Sequence, residues 1–189
     1  MRKIILLMHL SLDGFVCGPN GEMDWIKLGD EMWDYVTDIT NSADTALYGE
    51  VTYHMMEDYW PTAGEKPGAT KHDIDHAAWA NKVSKIVFSK NLREVHWDGA
   101  RIVRENIAEE MQKLKEVPGK NLLMIGSPGL AHSFIELGLI DEYRLNINPV
   151  VIGAGKPLFR DSKEKMNLKL MGERTFSTGV VALHYDSVK

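Results

Sequence analysis

Three short turns in this chain carry residues able to hold an anion: "YGEVT" (Tyr48 to Thr52), "FSKN" (Phe88 to Asn91) and "GSPG" (Gly126 to Gly129). Each joins an apolar run to a helix or turn. At such a junction the first backbone N–H groups lack an intrahelical acceptor, and the helix dipole presents its positive end. A glycine there lets an anion come close to the backbone. Taken in order, the three turns have the parts to hold a dinucleotide. "GSPG" lacks the G-x-G-x-x-G spacing of the usual Rossmann fingerprint, so the combination carries the reading and no single turn does. One residue runs against it: Glu50, a carboxylate, follows Gly49 directly.

Other side chains have chemistry to offer near the same loops. Asp13, in "SLDG" at the end of the first apolar run, is the first candidate for a proton donor; its alternative role is an Asx-type turn before Gly14. Trp25 in "GEMDW" and Trp60 in "DYWP" are placed in loops, where they either stack on a planar heterocycle such as a pterin, pyrimidine or flavin precursor, or pack beneath the loop. His9 lies inside the first strand and reads as a hydrogen-bonded core residue. His72 and His76 have i, i+4 spacing with no third ligand in evidence, so they read as surface histidines and no metal site is expected.

These residues need elements to position them. "KIILLMHL" (3–10) is a continuous apolar run, the pattern of a strand covered on both faces. A helix capped by Asp30 carries Met32, Trp33, Val36 and Ile39 on one face. "ADTALYG" is a strand, followed by a helix from Val51 that stops before Pro61. Residues 61–73, with two prolines and two glycines, read as a loop suited to a substrate lid. A helix near His72 to Asn81, strands at "KIVFS" and "ARIV", and an amphipathic helix over 106–116 follow. Leu122 to Ile125 is a buried strand. The next helix points Leu130, Phe134 and Leu137 inward and ends at Gly138, before a strand from Glu142. Leu168 to Phe176 and Val180 to Tyr185 alternate as a hairpin around "STG". Strands alternating with helices predict an α/β fold, a mostly parallel central sheet with an antiparallel C-terminal hairpin, and ligand binding at the carboxyl ends of the strands.

The bulk properties narrow the partners. The 189 residues, 44% of them hydrophobic, are enough for one sizeable core and predict a single domain over 1–189. A net charge of −5 gives no basic surface for nucleic acid or an anionic membrane. Cys17 is the sole cysteine, so no internal disulfide forms. The apolar stretch Ile4 to Leu10 is too short to span a bilayer, and a cytoplasmic protein is expected. The apolar C-terminal strands suit a homodimer surface.

The "SLDG" ending the first strand, the "GEVTY" turn, "GSPGL" and above all "DEYRLNINPVVIGAGKPLF" resemble the dihydrofolate reductase-like reductase domain of riboflavin-biosynthesis deaminase-reductases, the RibD C-terminal type. The resemblance runs from about Lys3 to Tyr185, and a free-standing member without a deaminase domain is expected. It implies a three-layer α/β/α fold and an NADPH-dependent reductase. By the same resemblance Gly49 and Thr52 would hold cofactor phosphate, with Ser89 and Lys90 by the adenosine ribose. Gly126, Ser127, Gly129 and Leu130 would line the pyrophosphate, and Val16 and Cys17 would lie nearer the nicotinamide. Asp34 becomes a second candidate acid, by analogy with the helix carboxylate of dihydrofolate reductases.

Relatives often carry a basic residue where Glu50 stands. Either Glu50 turns to solvent, or it points inward and favours NADH by accepting from a ribose 2'-OH, with Lys90 the remaining cation. The resemblance leaves two substrates open: 5-amino-6-(5-phosphoribosylamino)uracil, whose phosphate would need Lys156 or Arg160, or another small planar N-heterocycle. The alternative of a different class is a non-catalytic protein that binds a pterin- or flavin-like ligand.

Overall fold

The first strand, β1 (Ile4–Ser11), sets the architecture, because its side chains are shielded on both faces. Ile4, Leu6, Met8 and Leu10 join one apolar cluster, while Ile5 and Leu7 join another. That alternation follows from the two-residue period of a strand. The structure, a computed structural model, describes residues 1–160 and 165–188.

In chain order the elements are β1, β2 (Phe15–Cys17), α1 (Asp30–Asn41), β3 (Ala43–Gly49), α2 (Glu50–Ala63), α3 (Lys71–Lys82), β4 (Ser84–Phe88), β5 (Ala100–Val103), α4 (Ile107–Glu116), β6 (Asn121–Ile125), α5 (Pro128–Glu136), β7 (Glu142–Asn148), β8 (Lys156–Pro157), β9 (Leu168–Thr175) and β10 (Val181–Ser187). Eight strands form one sheet in the order β5-β4-β3-β6-β1-β7-β10-β9. From β5 to β7 all neighbours are parallel; β10 runs antiparallel to both β7 and β9. Met111 of α4 and Leu130, Ala131 and Phe134 of α5 pack on one face of the sheet. Met32, Val36 and Ile39 of α1, Tyr53 of α2 and Trp79 and Ala80 of α3 pack on the other. The result is the three-layer α/β/α fold with an antiparallel C-terminal hairpin.

Several local expectations need correction. The helix α2 does not stop before Pro61 but runs on to Ala63. Its inward face repeats at Tyr53, Met56, Trp60 and Ala63, so packing against the sheet and α3 outweighs the loss of one N–H in the last turn. Trp60 is therefore a helical residue, and the connection to α3 is only 64–70. A capping box between Thr70 and Asp73 starts α3. His72 and His76 are not surface residues; both are buried between α1, α2 and α3, with His72 stacked on Trp33 at a centroid distance of 3.5 Å. Asp30 is the first residue of α1 and not its cap, a position held by Gly29. Leu137 points outward, half exposed, because α5 ends there: Gly138 N–H bonds to Ile135 and Leu139 N–H to Phe134, a Schellman termination. Among the described residues no helix is long and apolar enough to cross a membrane.

Candidate functional site

The parallel strands β3, β4, β5 and β6 all release their chains at one edge of the sheet, and the turns that follow surround a cleft of about 510 Å³. That volume lies within the range of about 300–1,000 Å³ of small-molecule sites. A second cleft of about 600 Å³ lies between α1 and α3. Its lining includes Asp44 and Lys120, at the opposite ends of the strands, so it is remote from the turns that hold the chemistry.

Two helix N-termini open into the first cleft. Gly49 precedes α2, whose first-turn residues Glu50, Val51 and Thr52 line it; Ser127 precedes α5, whose Gly129 and Leu130 line it too. The two turns are bonded to each other, Ser127 Oγ accepting from Gly49 N–H at 2.8 Å. Gly49 must be a glycine for this: a Cβ there would stand 2.6 Å from Ser127 Oγ. Ser127 itself adopts φ 65°, a left-handed conformation that a non-glycine residue holds only against strain.

The turn after β4 forms the next wall. Ser89 Oγ accepts from the N–H groups of Asn91 (3.0 Å) and Leu92 (2.9 Å) and donates to the Glu50 carboxylate. Glu50 thus points along the cleft wall and not away into solvent. Lys90 and Arg104 line the same mouth, and Arg104 is steadied by donating to Leu92 O at 2.6 Å. At the other end, β2 and β8 form a two-stranded ribbon that brings Val16, Cys17 and Lys156 to the lining. The ribbon depends on Gly155, where a Cβ would lie 2.0 Å from Cys17 O.

The ten residues assigned to the cofactor by resemblance, Val16, Cys17, Gly49, Thr52, Ser89, Lys90, Gly126, Ser127, Gly129 and Leu130, therefore line one cleft, and so does Glu50, which departs from the relatives' pattern. The four catalytic and substrate candidates do not. Asp13 is exposed and accepts from Gly153 N–H (2.8 Å) and Ile152 N–H (3.2 Å), tying the end of β1 to the loop before β8. Hydrogen bonding from Ser11, with those two amides, holds its carboxyl below the usual carboxylate range, so near neutral pH it has no proton to give. Asp34 sits on the exposed face of α1. Trp25 is half-buried, with its indole N–H donating to Glu22 O at 3.2 Å. Trp60 packs on His76 at 4.1 Å and on Tyr59 at 4.9 Å, filling the space between α2 and α3.

Sequence reasoning missed other lining residues. Met55 and Met56 of α2 and Phe88, Val103 and Ile107 supply apolar wall. Arg104 was within reach, since it follows β5 as Ser89 follows β4. Lys156, a candidate for holding a substrate phosphate, does line the cleft; Arg160, the other candidate, pairs with Glu136 at 3.5 Å. One cluster of metal-type ligands exists among the described residues, Glu142, His184 and Asp186. Lys3 (3.3 Å) and Arg144 (2.5 Å) already neutralise Glu142, which gives the cluster an internal cation.

Comparison with known proteins agrees with this geometry. The family model described as the RibD C-terminal domain matches residues 2–182. The chain is 42% identical to the uncharacterized protein YyaP of Bacillus subtilis (strain 168) over 97% of this chain and 94% of that one. A structure from Shewanella sp. PV-4 covers 100% of both chains with a TM-score of 0.77 at 18% identity. The diaminohydroxyphosphoribosylaminopyrimidine deaminase/5-amino-6-(5-phosphoribosylamino)uracil reductase of Thermotoga maritima shares the fold, with a TM-score of 0.68 at 15% identity over 99% of this chain and 57% of that one.

Proposed function

The chain belongs to the RibD C-terminal domain family, and on that premise we propose that it is a reductase that takes hydride from NADPH to a carbonyl or imine carbon of a small planar N-heterocycle, as in 5-amino-6-(5-phosphoribosylamino)uracil reductases. The observation that carries this reading is the pair of helix N-termini held together over one cleft by the Gly49–Ser127 bond. Two positive dipole ends and a backbone stripped of Cβ at the point of closest approach suit a pyrophosphate. The cofactor, when bound, supplies the hydride. The chain's own residues bind and orient: Glu50, Val51 and Thr52 present first-turn amides, Met55, Met56 and Phe88 exclude water, and Lys90 and Arg104 offer charge at the mouth.

Glu50 makes the choice of nucleotide a balance of charge. Its carboxylate, held by Ser89, opposes a 2'-phosphate, while Lys90 and Arg104 favour one. NADPH binds with the two cations outweighing Glu50, and NADH remains a usable second ligand through the carboxylate. A titration following nicotinamide fluorescence at low salt tests this. Wild type should bind both nucleotides, and Glu50→Gln should shift the preference toward NADPH by about tenfold, the order of effect of removing one like charge beside a phosphate in a wet cleft. Binding of neither nucleotide would sink the reductase and favour the non-catalytic ligand-binding protein.

A further inference from the structure

Two polar side chains on the sheet face covered by α1, α2 and α3 keep hydrogen-bonding capacity in reserve. His9 on β1 stands level with Asn146 on β7, and Asn146 Nδ2 and His9 Nε2 lie 3.4 Å apart. That contact uses one polar atom of each side chain. The remaining two, His9 Nδ1 and Asn146 Oδ1, are sealed from solvent and have no partner among the described residues. Asn148, two residues along the same strand, shows the contrast. Its Nδ2 reaches the carbonyls of Leu10 and Asn146, and its Oδ1 accepts from Lys27 N–H at 2.8 Å. Leaving a buried donor and acceptor unmet destabilises a fold, and two apolar residues of like shape would avoid the loss.

The reserve has a definite chemistry. Burial holds the His9 imidazole far below its ordinary value, at about 4, so it is neutral and has one N–H and one lone pair. If Asn146 Nδ2 donates to Nε2, the free atoms are an Nδ1–H donor and an Oδ1 acceptor. If the amide is turned over, the free atoms are an Nδ1 acceptor and an Nδ2 donor. Either arrangement offers one donor and one acceptor. Their complement is a group with an acceptor and a donor side by side.

Neither side chain is among those that line the cleft, but the strand that carries His9 runs next to its wall. Gly126, which lines it, donates its N–H to Leu7 O at 3.2 Å, so the exit turn of β6 runs alongside Met8 and His9. Met56 lines the cleft and packs on the apolar cluster that covers this face. Within β1, Met8 and Leu10 are buried while His9 as a residue is of intermediate exposure.

We propose that His9 and Asn146 form a polar clamp that reads a cis-amide edge, the adjoining N–H and C=O of a lactam ring or of a primary carboxamide, on the molecule bound at the inner end of the cleft. The proposal rests on the reductase reading, in which a nitrogen heterocycle and a nicotinamide meet there, and adds the atoms by which one of them is recognised. The capacity left unmet in the free protein is then met by the ligand.

The test is calorimetric titration of wild type, His9→Phe and Asn146→Leu, with Asn146→Ala as the second variant should leucine not be accommodated. The probes are NADPH, its 3-acetylpyridine analogue, which keeps the carbonyl and lacks the amide N–H, and 5,6-diaminouracil. Thermal melts of the free proteins, a double variant included, run alongside. The expected result is that the double variant His9→Phe/Asn146→Leu, which orphans neither partner, melts at or above the wild-type temperature, and that each single variant loses at least about tenfold in affinity for one amide-bearing probe. A loss confined to NADPH, with its analogue unaffected, assigns the clamp to the carboxamide; a loss for 5,6-diaminouracil assigns it to the heterocycle. Wild-type binding of both NADPH and 5,6-diaminouracil, with the variants within about twofold, overturns the clamp and leaves the reductase standing. Equal losses for all three probes together with a lower melting temperature of the double variant also overturn it, since a structural role would give that pattern. No wild-type binding of NADPH or 5,6-diaminouracil overturns the reductase reading, and the clamp with it.

Discussion

Gly49→Ala is the substitution on which the reading of the cleft is most exposed. The new Cβ would stand 2.6 Å from Ser127 Oγ, 3.6 Å from Leu130 Cβ and 3.9 Å from Ser127 Cβ. Only the first distance is a clash, and its owner is a hydroxyl on a rotatable bond. Gly49 has φ −80°, so alanine adds no backbone strain there. The structure can relieve the contact by turning Ser127 Oγ away, which breaks its 2.8 Å bond to Gly49 N–H and leaves that amide unpaired. The loss is therefore about 1–3 kcal/mol. Ser127→Ala removes the same bond and should cost a similar amount, with the residue still held at φ 65°. In the double variant no hydroxyl remains to clash, and the single bond cannot be lost twice. Its destabilisation should match the larger single value, giving a coupling of about 1 kcal/mol or more in a urea-denaturation cycle. Additivity of the two losses to within about 0.3 kcal/mol would refute the direct contact. The same cycle read by NADPH titration should show Gly49→Ala weakening affinity more than it weakens stability, because the two helix N-termini separate.

Three further outcomes follow from other parts of the molecule. Burial holds His9 at about 4 and His76 at about 3, against an ordinary 6.5. Both values are depressed on folding, so the unfolded chain binds more protons below pH 6.5. Stability is full above that point and falls with acid, by up to about 2 kcal/mol per histidine between pH 6.5 and 5. Urea midpoints across that range check it, and His76→Phe should make the slope shallower. Gly155→Ala meets backbone, with Cys17 O at 2.0 Å and φ +154°, and should unfold the β2–β8 ribbon; loss of binding at the Lys156 end of the cleft, with the core still folded by circular dichroism, is the expected signature. The homodimer expectation becomes a proposal centred on the edge strand β9, where Leu170 is 52% and Met171 48% exposed. Light scattering should report a dimer that Leu170→Lys weakens.

How much of this was legible in the sequence depends on the distance over which a signal acts. The three turns were readable because glycine at a strand exit and a helix start are local events, and the eight cofactor candidates within them do meet in one cleft. The candidates for a proton donor and for an aromatic platform do not join them. Spacing placed Asp13 at a strand end, but the loop that consumes its carboxylate, at Ile152 and Gly153, lies some 140 residues away. Pro61 marked a helix end by local rule, and the face of Tyr53, Met56, Trp60 and Ala63 overrode it by packing. His72 and His76 looked exposed because nothing local shows that α1 and α2 close over α3. The His9–Asn146 pair exists only through the parallel register of β1 and β7, which no window of sequence contains.

Glu50 is where the local and the long-range signals meet. As a first-turn acid on α2 it is favoured by the helix dipole whether or not anything binds. Its bond to Ser89, however, ties the start of α2 to the turn after β4, as Ser127 ties that start to the turn before α5. The walls of the cleft are thus cross-linked at side-chain level in the free protein, in a region where loops would otherwise move independently. Such a cleft needs little ordering to accept its ligand, and the charge at position 50 is part of how it is held open. Removing that carboxylate should therefore do two separable things. It should raise the preference for a 2'-phosphate by the Coulomb term, and lower affinity for both nucleotides alike through a looser wall. Glu50→Gln keeps a hydrogen-bond acceptor for Ser89 and isolates the first effect; Glu50→Ala produces both. Equal preference shifts in the two variants, with the drop common to NADH and NADPH confined to alanine, is the pattern that this double role requires.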